Sequence, residues 1–552
     1  MRRRNIQYLV LLFLCAVATH LYFFSSRDSE SPHLDEWVEE DETEETIPKQ
    51  RLDADPAKRD AIVAAFQYAW SAYERDAMGS DEYHPISHRG QNLSHSGGIG
   101  YTVVDALDTM LLMGLHDEYS RASDWVRNSL SFDRDGRTRC FNTFETTIRV
   151  LGGLLSALHL SADEMYLRHA VDLADRMLPA FDTPSGLPLS SVNLETRVGI
   201  PDPWNQDHIS TAEATTLQLE FRDLAQLTKN ATYWRKAETV MAVVHAARLP
   251  SNLAPISMNV KDGSFTFSDI RLGSRGDSYY EYLLKQYLQT DRTEPVYLKM
   301  YEGAMKGIHE NLVHQTPIKK HTYIAELLPK GTEWRTTWEV QHKQDHLVCF
   351  LAGSLMLGAT TAGARTPGAV SVPPNMSELT KIGQRDWNTG VELLEGCMAT
   401  HQTATGLSPE IAQFKRSPDQ PDRDWHIKGS KPGGPATYDA RYMLRPETVE
   451  SLFLAWRLTG RQRYRDYAWG IFQAIEKHCR LAEGGYATIV DVDTVPVRYD
   501  DKQETFFLSE TLKYLFLTFA DGRVLPLDEY VLNTEAHPLP VFRPSIQPMF
   551  TL

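Results

Sequence analysis

Residues 444–468 read LRPETVESLFLAWRLTGRQRYRDYA, and the way this stretch folds decides the architecture of the chain. An apolar helix runs to Leu458-Thr459 and gives way to a more polar one that carries Tyr464 and Ala468. The same pattern, L-[S/T]-x4-Y-x3-A, returns at Leu160-Ser161 with Tyr166 and Ala170, and at Leu227-Thr228 with Tyr233 and Ala237. Each copy falls where an apolar helix ends and a more polar one begins. The repeated unit is therefore a helical hairpin, and its Ser or Thr is expected to cap the second helix.

Helix follows helix from Pro56 onward, and Ile62, Phe66, Trp70 and Tyr73 mark one apolar face at helical spacing. First members of pairs are expected near residues 103, 144, 211, 277, 345, 447 and 504, and partners near 57, 162, 231, 294, 381 and 461, with a short segment near 120. That makes about seven pairs, and repeated hairpins of this kind close with apolar first helices inside and polar second helices outside. Strand-like alternation is scarce, so the fold class is all-α with minor β-hairpin elements. Residues 361–380 and 403–440, rich in Pro, Gly and charge, interrupt the pattern as functional loops rather than domain linkers.

The N-terminus has a different composition. Arg2, Arg3 and Arg4 form a cytosolic tail (1–7) ahead of a mostly apolar run, 8–24, which reads as a secretory targeting segment. Within it Ala16-Val17-Ala18 resembles a cleavage site, and the resumed run Leu21-Tyr22-Phe23-Phe24 favours a retained signal anchor, with the rest of the chain in a lumen. Residues 28–45 carry ten Asp or Glu and no Lys or Arg, so 25–55 is expected to be an acidic flexible stem before a lumenal domain at 56–545 and a tail at 546–552. Over all 552 residues, 42% are hydrophobic and 24% charged, which excludes a disordered or multispan chain. A net charge of −16 argues against nucleic acid as a partner, since phosphate neutralisation needs a basic face. Cys15 lies in the apolar run; Cys140, Cys349, Cys397 and Cys479 include no CxxC, and spacing leaves all three pairings open. Sequons at Asn92, Asn230 and Asn375 are permitted by a lumenal address.

The chemistry lies in acids that open apolar helices. Asp105 and Asp108, Glu145, Glu213, Asp277 and Glu281, Glu447 and Glu450, and Glu510 all sit at or near such starts. A carboxylate on an apolar helix is costly to bury unless it is paired or used. One such acid could serve a helix dipole, but repetition around a toroid points all of them into one axial cavity. With Phe144, Tyr279, Tyr280, Phe506, Phe507, Arg149, Arg275 and Arg445 nearby, that cavity suits a neutral polyhydroxylated ligand, and paired carboxylates supply the acid and base of glycoside hydrolysis. His309-Glu310 with His314 misses the metalloprotease spacing, and no GxSxG is present.

At these residues the chain resembles glycoside hydrolase family 47, the class I α-1,2-mannosidases, through VDALDTMLLMGL, FETTIRVLGGLLSA, AEATTLQLEF, RGDSYYEYLLKQ, DHLVCFLAGSL, LRPETVESLFLAWRLTG, FFLSETLKYLFLTF and VLNTEAHPL, in that order across about residues 100–540. The resemblance implies an (αα)7 barrel and an inverting, calcium-dependent hydrolase, monomeric and anchored as a single-pass type II protein of the endoplasmic reticulum membrane or early Golgi. It implies Glu145 as the general acid, directly or through water, Glu447 as the base and Asp277 as a further essential carboxylate. It implies that Thr534 binds Ca2+ directly, with Glu450, Glu510 and Glu535 acting through water. Arg149, Glu213, Arg275, Glu281, His346, Arg445 and Phe506 match sugar-contacting positions. Arg275 is typical of reticulum forms that take one middle-branch mannose from Man9GlcNAc2 on high-mannose glycoproteins to leave Man8GlcNAc2. Cys349 and Cys397 match the family disulfide, leaving Cys140 and Cys479 as free thiols. Gly276 stands where relatives often have Ala, and 361–380 is an elongated insertion. A rival expectation is a lectin-like relative that recognises misfolded glycoproteins with little hydrolysis.

Overall fold

The computed structural model describes residues 52–551 apart from 96, 134–139, 204–206, 248, 333–334, 416–422 and 431–433. The expected tail at 1–7, the anchor at 8–24 and the stem up to residue 51 lie outside the described residues. No helix among the described residues is long and apolar enough to cross a membrane.

Fourteen helices among the described residues alternate between two environments. The odd-numbered ones, α1 (Pro56–Ala77), α3 (His116–Ser129), α5 (Glu164–Met177), α7 (Ala231–Ala246), α9 (Pro295–Asn311), α11 (Lys381–Thr400) and α13 (Gln462–His478), each bury one face. The even-numbered ones are buried around most of their circumference: α2 (Tyr101–Met113), α4 (Thr143–Glu145 running on through Thr146–Leu151 and Gly152–Ser161), α6 (Thr211–Thr215, then Gln218–Thr228), α8 (Asp277–Gln289), α10 (Phe350–Thr360 after the turn His346–Cys349), α12 (Glu447–Thr459) and α14 (Phe507–Thr511 with Leu512–Phe519). A helix buried all round has to be enclosed by others. Each even helix packs on the next, and α14 packs back on α2, which closes an inner ring of seven with the odd helices outside it. The segment expected only as a short helix near residue 120 is α3, the outer partner that completes the seventh pair.

The hairpin junctions differ from expectation in one respect. Ser161, Thr228 and Thr459 do not cap the second helix; each donates its hydroxyl to the carbonyl four residues back, at 2.6, 2.7 and 2.6 Å, and accepts the backbone N–H two residues on. They therefore close the inner helix, whose last carbonyls lack partners. Ala162, Lys229 and Gly460 follow in the left-handed conformation that reverses the chain. Capping of α5 and α7 falls to Asp163 and Asn230, and α13 has no side-chain cap.

Strands are short and antiparallel, as expected of minor hairpins. The longest pair, β1 (Glu326–Thr332) with β2 (Arg335–Gln341), precedes α10. A second pair, β3 (Tyr530–Leu532) with β4 (Pro538–Pro540), packs against α4, α6 and α8 from inside the ring and plugs it. Residues 52–55, placed with the stem by composition, belong to the domain: Asp55 caps α1 and its N–H bonds to the Phe519 carbonyl. The expected tail also docks, with the N–H groups of Met549 and Phe550 donating to Glu238.

Cys349 and Cys397 form the disulfide, tying the start of α10 to α11 across 48 residues of sequence, while Cys140 and Cys479 are free. A loop of that size constrains the unfolded chain by about 4 kcal/mol in the chain-entropy account. The C349S/C397S double variant is expected to lose stability of that order in urea titrations, and a loss under about 1 kcal/mol would contradict it.

Candidate active site

Inner helices all start on one face of the ring, and the connections leading into them rim a cavity of about 260 Å³ there. Glu145 and Arg149 reach it from α4, Glu213 from α6, Asp277 and Glu281 from α8, Glu447 and Glu450 from α12, Glu510 from α14, and Thr534 and Glu535 from the turn between β3 and β4. The helix starts are modified where they carry these groups. Residues 146–151 of α4 and 507–511 of α14 are π-helical, a widening that recurs at functional sites because it re-aims side chains. Arg275, Leu444 and Ala536 all have positive φ, 73°, 63° and 59°, a conformation costly for side-chain-bearing residues and held here by the surroundings. The Arg275 carbonyl accepts the Ala212 N–H at 2.9 Å, and the Leu444 carbonyl accepts the Thr511 hydroxyl at 2.6 Å. Gly276 has a local reason: a Cβ there would lie 2.2 Å from the Arg271 carbonyl oxygen.

Two arginines organise the wall. Arg149 donates to Glu145 at 2.8 Å, to the Thr505 hydroxyl at 2.8 Å and to Glu535. Arg445 grips Glu410 through two bonds, at 2.9 and 2.7 Å, and lies 3.9 Å from Glu447. Both guanidinium groups sit over the ring of Phe506, at 5.9 and 5.5 Å, leaving an aromatic face between two cations. On the floor, Thr534 donates to Glu281 at 2.8 Å, and Lys285 bonds Glu281 and lies 3.9 Å from Glu450.

The electrostatics follow from crowding acids out of water. Burial pushes Asp277 up to about 7, with Glu281 and Glu447 adding to it and the Ser278 N–H opposing. Burial also lifts Glu447 to about 7 against the pull of Arg445, and lifts Glu213 to about 7 with help from Glu145. Glu450, Glu510 and Glu535 are raised for the same reason and by neighbouring acids: Glu281 and Glu447 beside Glu450, Glu535, Glu447 and Glu450 beside Glu510, and Asp105 and Glu145 beside Glu535. Glu447 Oε2 is buried with no hydrogen-bond partner among the described residues. Such an oxygen is costly unless a ligand or water uses it.

The expectation that every helix-start acid faces the cavity fails for Asp105 and Asp108. Both lie beneath the floor, where His537 bridges them at 3.0 and 2.7 Å and Lys513 bonds Asp108 at 2.8 Å, because a fully buried carboxylate demands a cation. Burial drives both carboxyls up, yet His537 and Arg149 carry Asp105, and Lys513 and His537 carry Asp108, net below the usual carboxylate range. His346 is not among the cavity-lining residues either: its Nε2 lies 2.9 Å from the Thr448 hydroxyl, and burial keeps it neutral. The other substrate-binding candidates line the cavity. Sequence reasoning missed Glu410 and Thr505, which lie in irregular segments with no periodic signal, and Lys285, whose position four residues after Glu281 on an inner helix was readable as an ion pair. No group of three or more His, Cys, Asp or Glu among the described residues is arranged to hold a metal by itself.

The family model of glycosyl hydrolase family 47 matches residues 65–541. The chain is 40% identical over 512 residues to the endoplasmic reticulum mannosyl-oligosaccharide 1,2-alpha-mannosidase of Homo sapiens, covering 91% of this chain and 67% of that protein. It is 41% identical over 496 residues to the protein of the same name from Schizosaccharomyces pombe, covering 89% and 91%. Among solved structures, the alpha-1,2-mannosidase from Trichoderma reesei superposes with a TM-score of 0.76 at 27% identity, covering 89% of this chain and all of that one.

Proposed function

The chain belongs to glycosyl hydrolase family 47, and from that membership we infer that the acid-lined cavity is where its glycosidase chemistry takes place. The protein is a mannosyl-oligosaccharide 1,2-alpha-mannosidase that trims α-1,2-linked mannose in N-glycan processing in the endoplasmic reticulum. The finer reading is inverting removal of the middle-branch mannose of Man9GlcNAc2 to give Man8GlcNAc2, with Arg275 on the rim contacting the glycan.

The observation that carries the mechanism is the placing of carboxylates on α4 and α12, which are not neighbours in the ring, around one cavity in which one Glu447 oxygen has no partner among the described residues. Glu447 takes a proton from water as the water oxygen bonds to the anomeric carbon. The bond from that carbon to the leaving oxygen breaks, and Glu145 supplies the leaving oxygen's proton directly or through water. An inverting pair needs a separation of about 6.5–9.5 Å to hold the water. Asp277 stands on α8 beside both steps, and Phe506 offers the face against which a sugar ring lies.

The donor set around Thr534 fits calcium. Thr534 bonds Glu281, and Glu450, Glu510 and Glu535 line the same cavity, with Lys285 paired to Glu281 and Arg149 to Glu535; every donor is a hard oxygen. Thr534 would hold the ion directly, with Glu450, Glu510 and Glu535 acting through water. When bound, the ion supplies a fixed positive centre that orients sugar hydroxyls. The protein is further read as a monomer, held at the membrane by residues 8–24 with the barrel in the lumen.

Incubating the chain with Man9GlcNAc2, with and without EDTA, tests this reading. One β-mannose is expected per glycan, from the middle branch, only with calcium present, and calcium should also raise the melting temperature of the protein alone. Retention of configuration, loss of a different branch, or an EDTA-insensitive melting temperature would each remove the corresponding part.

A further inference from the structure

The three sequons do not occupy equivalent places in the ring. Connections leading into inner helices rim the cavity, whereas connections leaving inner helices lie on the far face. Asn230 sits between α6 and α7 and Asn375 between α10 and α11, so both are on the far face; Asn92 sits between α1 and α2, on the cavity face.

Their surroundings differ in the same sense. Asn230, Ala231 and Thr232 are all exposed; the Asn230 side-chain oxygen accepts the Thr232 N–H at 3.0 Å, and the side chain also hydrogen-bonds the neighbouring Tyr233 hydroxyl. Asn375, Met376 and Ser377 are likewise exposed. The Asn375 amide nitrogen reaches Ser371 Oγ at 3.3 Å and Glu378 Oε1 at 3.4 Å, both long, so replacing one N–H costs little. Met376 and Ile382 beside it are 39% and 42% exposed, apolar surface that an attached oligosaccharide would shield. Asn92 is built into the turn ahead of α2. Its side-chain oxygen accepts the N–H of Asp81, a buried residue that in turn accepts the N–H groups of Ile99, Gly100 and Tyr101. Ser94 of that sequon is 3% exposed, and a Cβ on Gly98 would come within 2.8 Å of the Asn92 oxygen.

We propose that Asn230 and Asn375 carry N-linked oligosaccharides in the folded protein and that Asn92 does not. In the transfer, the Asn nitrogen bonds to the anomeric carbon of a lipid-diphosphate oligosaccharide and loses one proton. The bond from that carbon to the diphosphate breaks, and the lipid diphosphate leaves. Both oligosaccharides then project away from the cavity, so this glycosidase does not present its own glycans to its own active site. The proposal rests on the lumenal address given above.

The test is the full chain expressed in eukaryotic cells, with glycans released by an amidase in heavy-oxygen water and each Asn-to-Asp conversion mapped by mass spectrometry. Asn230 and Asn375 are expected to be labelled and Asn92 unlabelled. The N230Q and N375Q variants should each remove one step of gel mobility, the double variant should remove all of it, and mannose release should be unchanged. Protease protection in sealed microsomes from the same cells separates the two ways of failing. A protected chain that is labelled at Asn92, or unlabelled at Asn230 or Asn375, overturns the proposal. An unprotected, unlabelled chain overturns the lumenal address together with it.

Discussion

The E447Q variant should release mannose with kcat about 10²–10⁴-fold below the parent while still binding the glycan, because an amide keeps the shape of the carboxyl but takes no proton from water. Glu447 is the first residue of α12, is 9% exposed, and has one oxygen with no partner among the described residues, which is where an attacking water would be held. Its carboxyl is raised to about 7 by burial, against the pull of Arg445. A base must be ionised, so kcat/KM of the parent is expected to climb through about pH 7 rather than through the usual carboxylate range, and E447Q should lack that limb. Stability should move the other way. A carboxyl whose folded pKa is raised favours the folded state fully below its unfolded value, near 4.3, and that contribution is lost as pH rises through about 7. E447Q carries no such loss, so its melting temperature should gain on the parent's between pH 5 and pH 8. Parent-like turnover in E447Q would remove Glu447 from the base role. An unchanged kcat/KM limb in a slow variant would move the limb to Asp277, which is also raised to about 7.

What the sequence showed and what it concealed divide along one line, between what is repeated and what is not. The seven pairs were readable because burial all round makes a helix apolar all round, and α12 and α14 carry that in every turn. The acids of the cavity were readable for the opposite reason, as charges placed where an enclosed helix should have none. The same signal could not separate Glu447, which lines the cavity, from Asp108, which lies below it. That difference depends on Lys513 and His537, brought in from residues about 400 positions away in the chain. Glu410 has no periodic signature, and its grip on Arg445 comes with a tertiary backbone contact, the Glu410 N–H bonding to the Arg441 carbonyl at 2.7 Å. The misassigned Ser and Thr caps have a local cause: a hydroxyl at a hairpin junction can serve either helix, and here the inner helix's carbonyls take it.

The buried cluster under the floor should be the costliest place to remove a single charge. Lys513 and Asp108 are both 0% exposed and paired at 2.8 Å, and Lys513 also donates to the Ala536 carbonyl at 2.7 Å, inside the turn that presents Thr534 and Glu535. K513M removes the cation and leaves a buried carboxylate and a buried carbonyl short of a donor, a loss of roughly 3–5 kcal/mol. Replacing both partners, as in D108N/K513M, removes the stranded charge and should recover much of that loss in urea titrations. Asp108 is held down at about 2, so the cluster's contribution is present above the unfolded carboxylate value and is lost as pH falls through about 2. The deficit of K513M against the parent should therefore be large at pH 7 and shrink toward pH 2. Because the turn from Asn533 to His537 depends on this cluster, the variant should also show a smaller calcium-induced rise in melting temperature than the parent. A K513M protein with parent-like stability at pH 7 would mean that His537, bridging Asp105 and Asp108 at 3.0 and 2.7 Å, balances both carboxylates without help. A destabilised protein with a full calcium response would mean that the cluster supports the core rather than the turn.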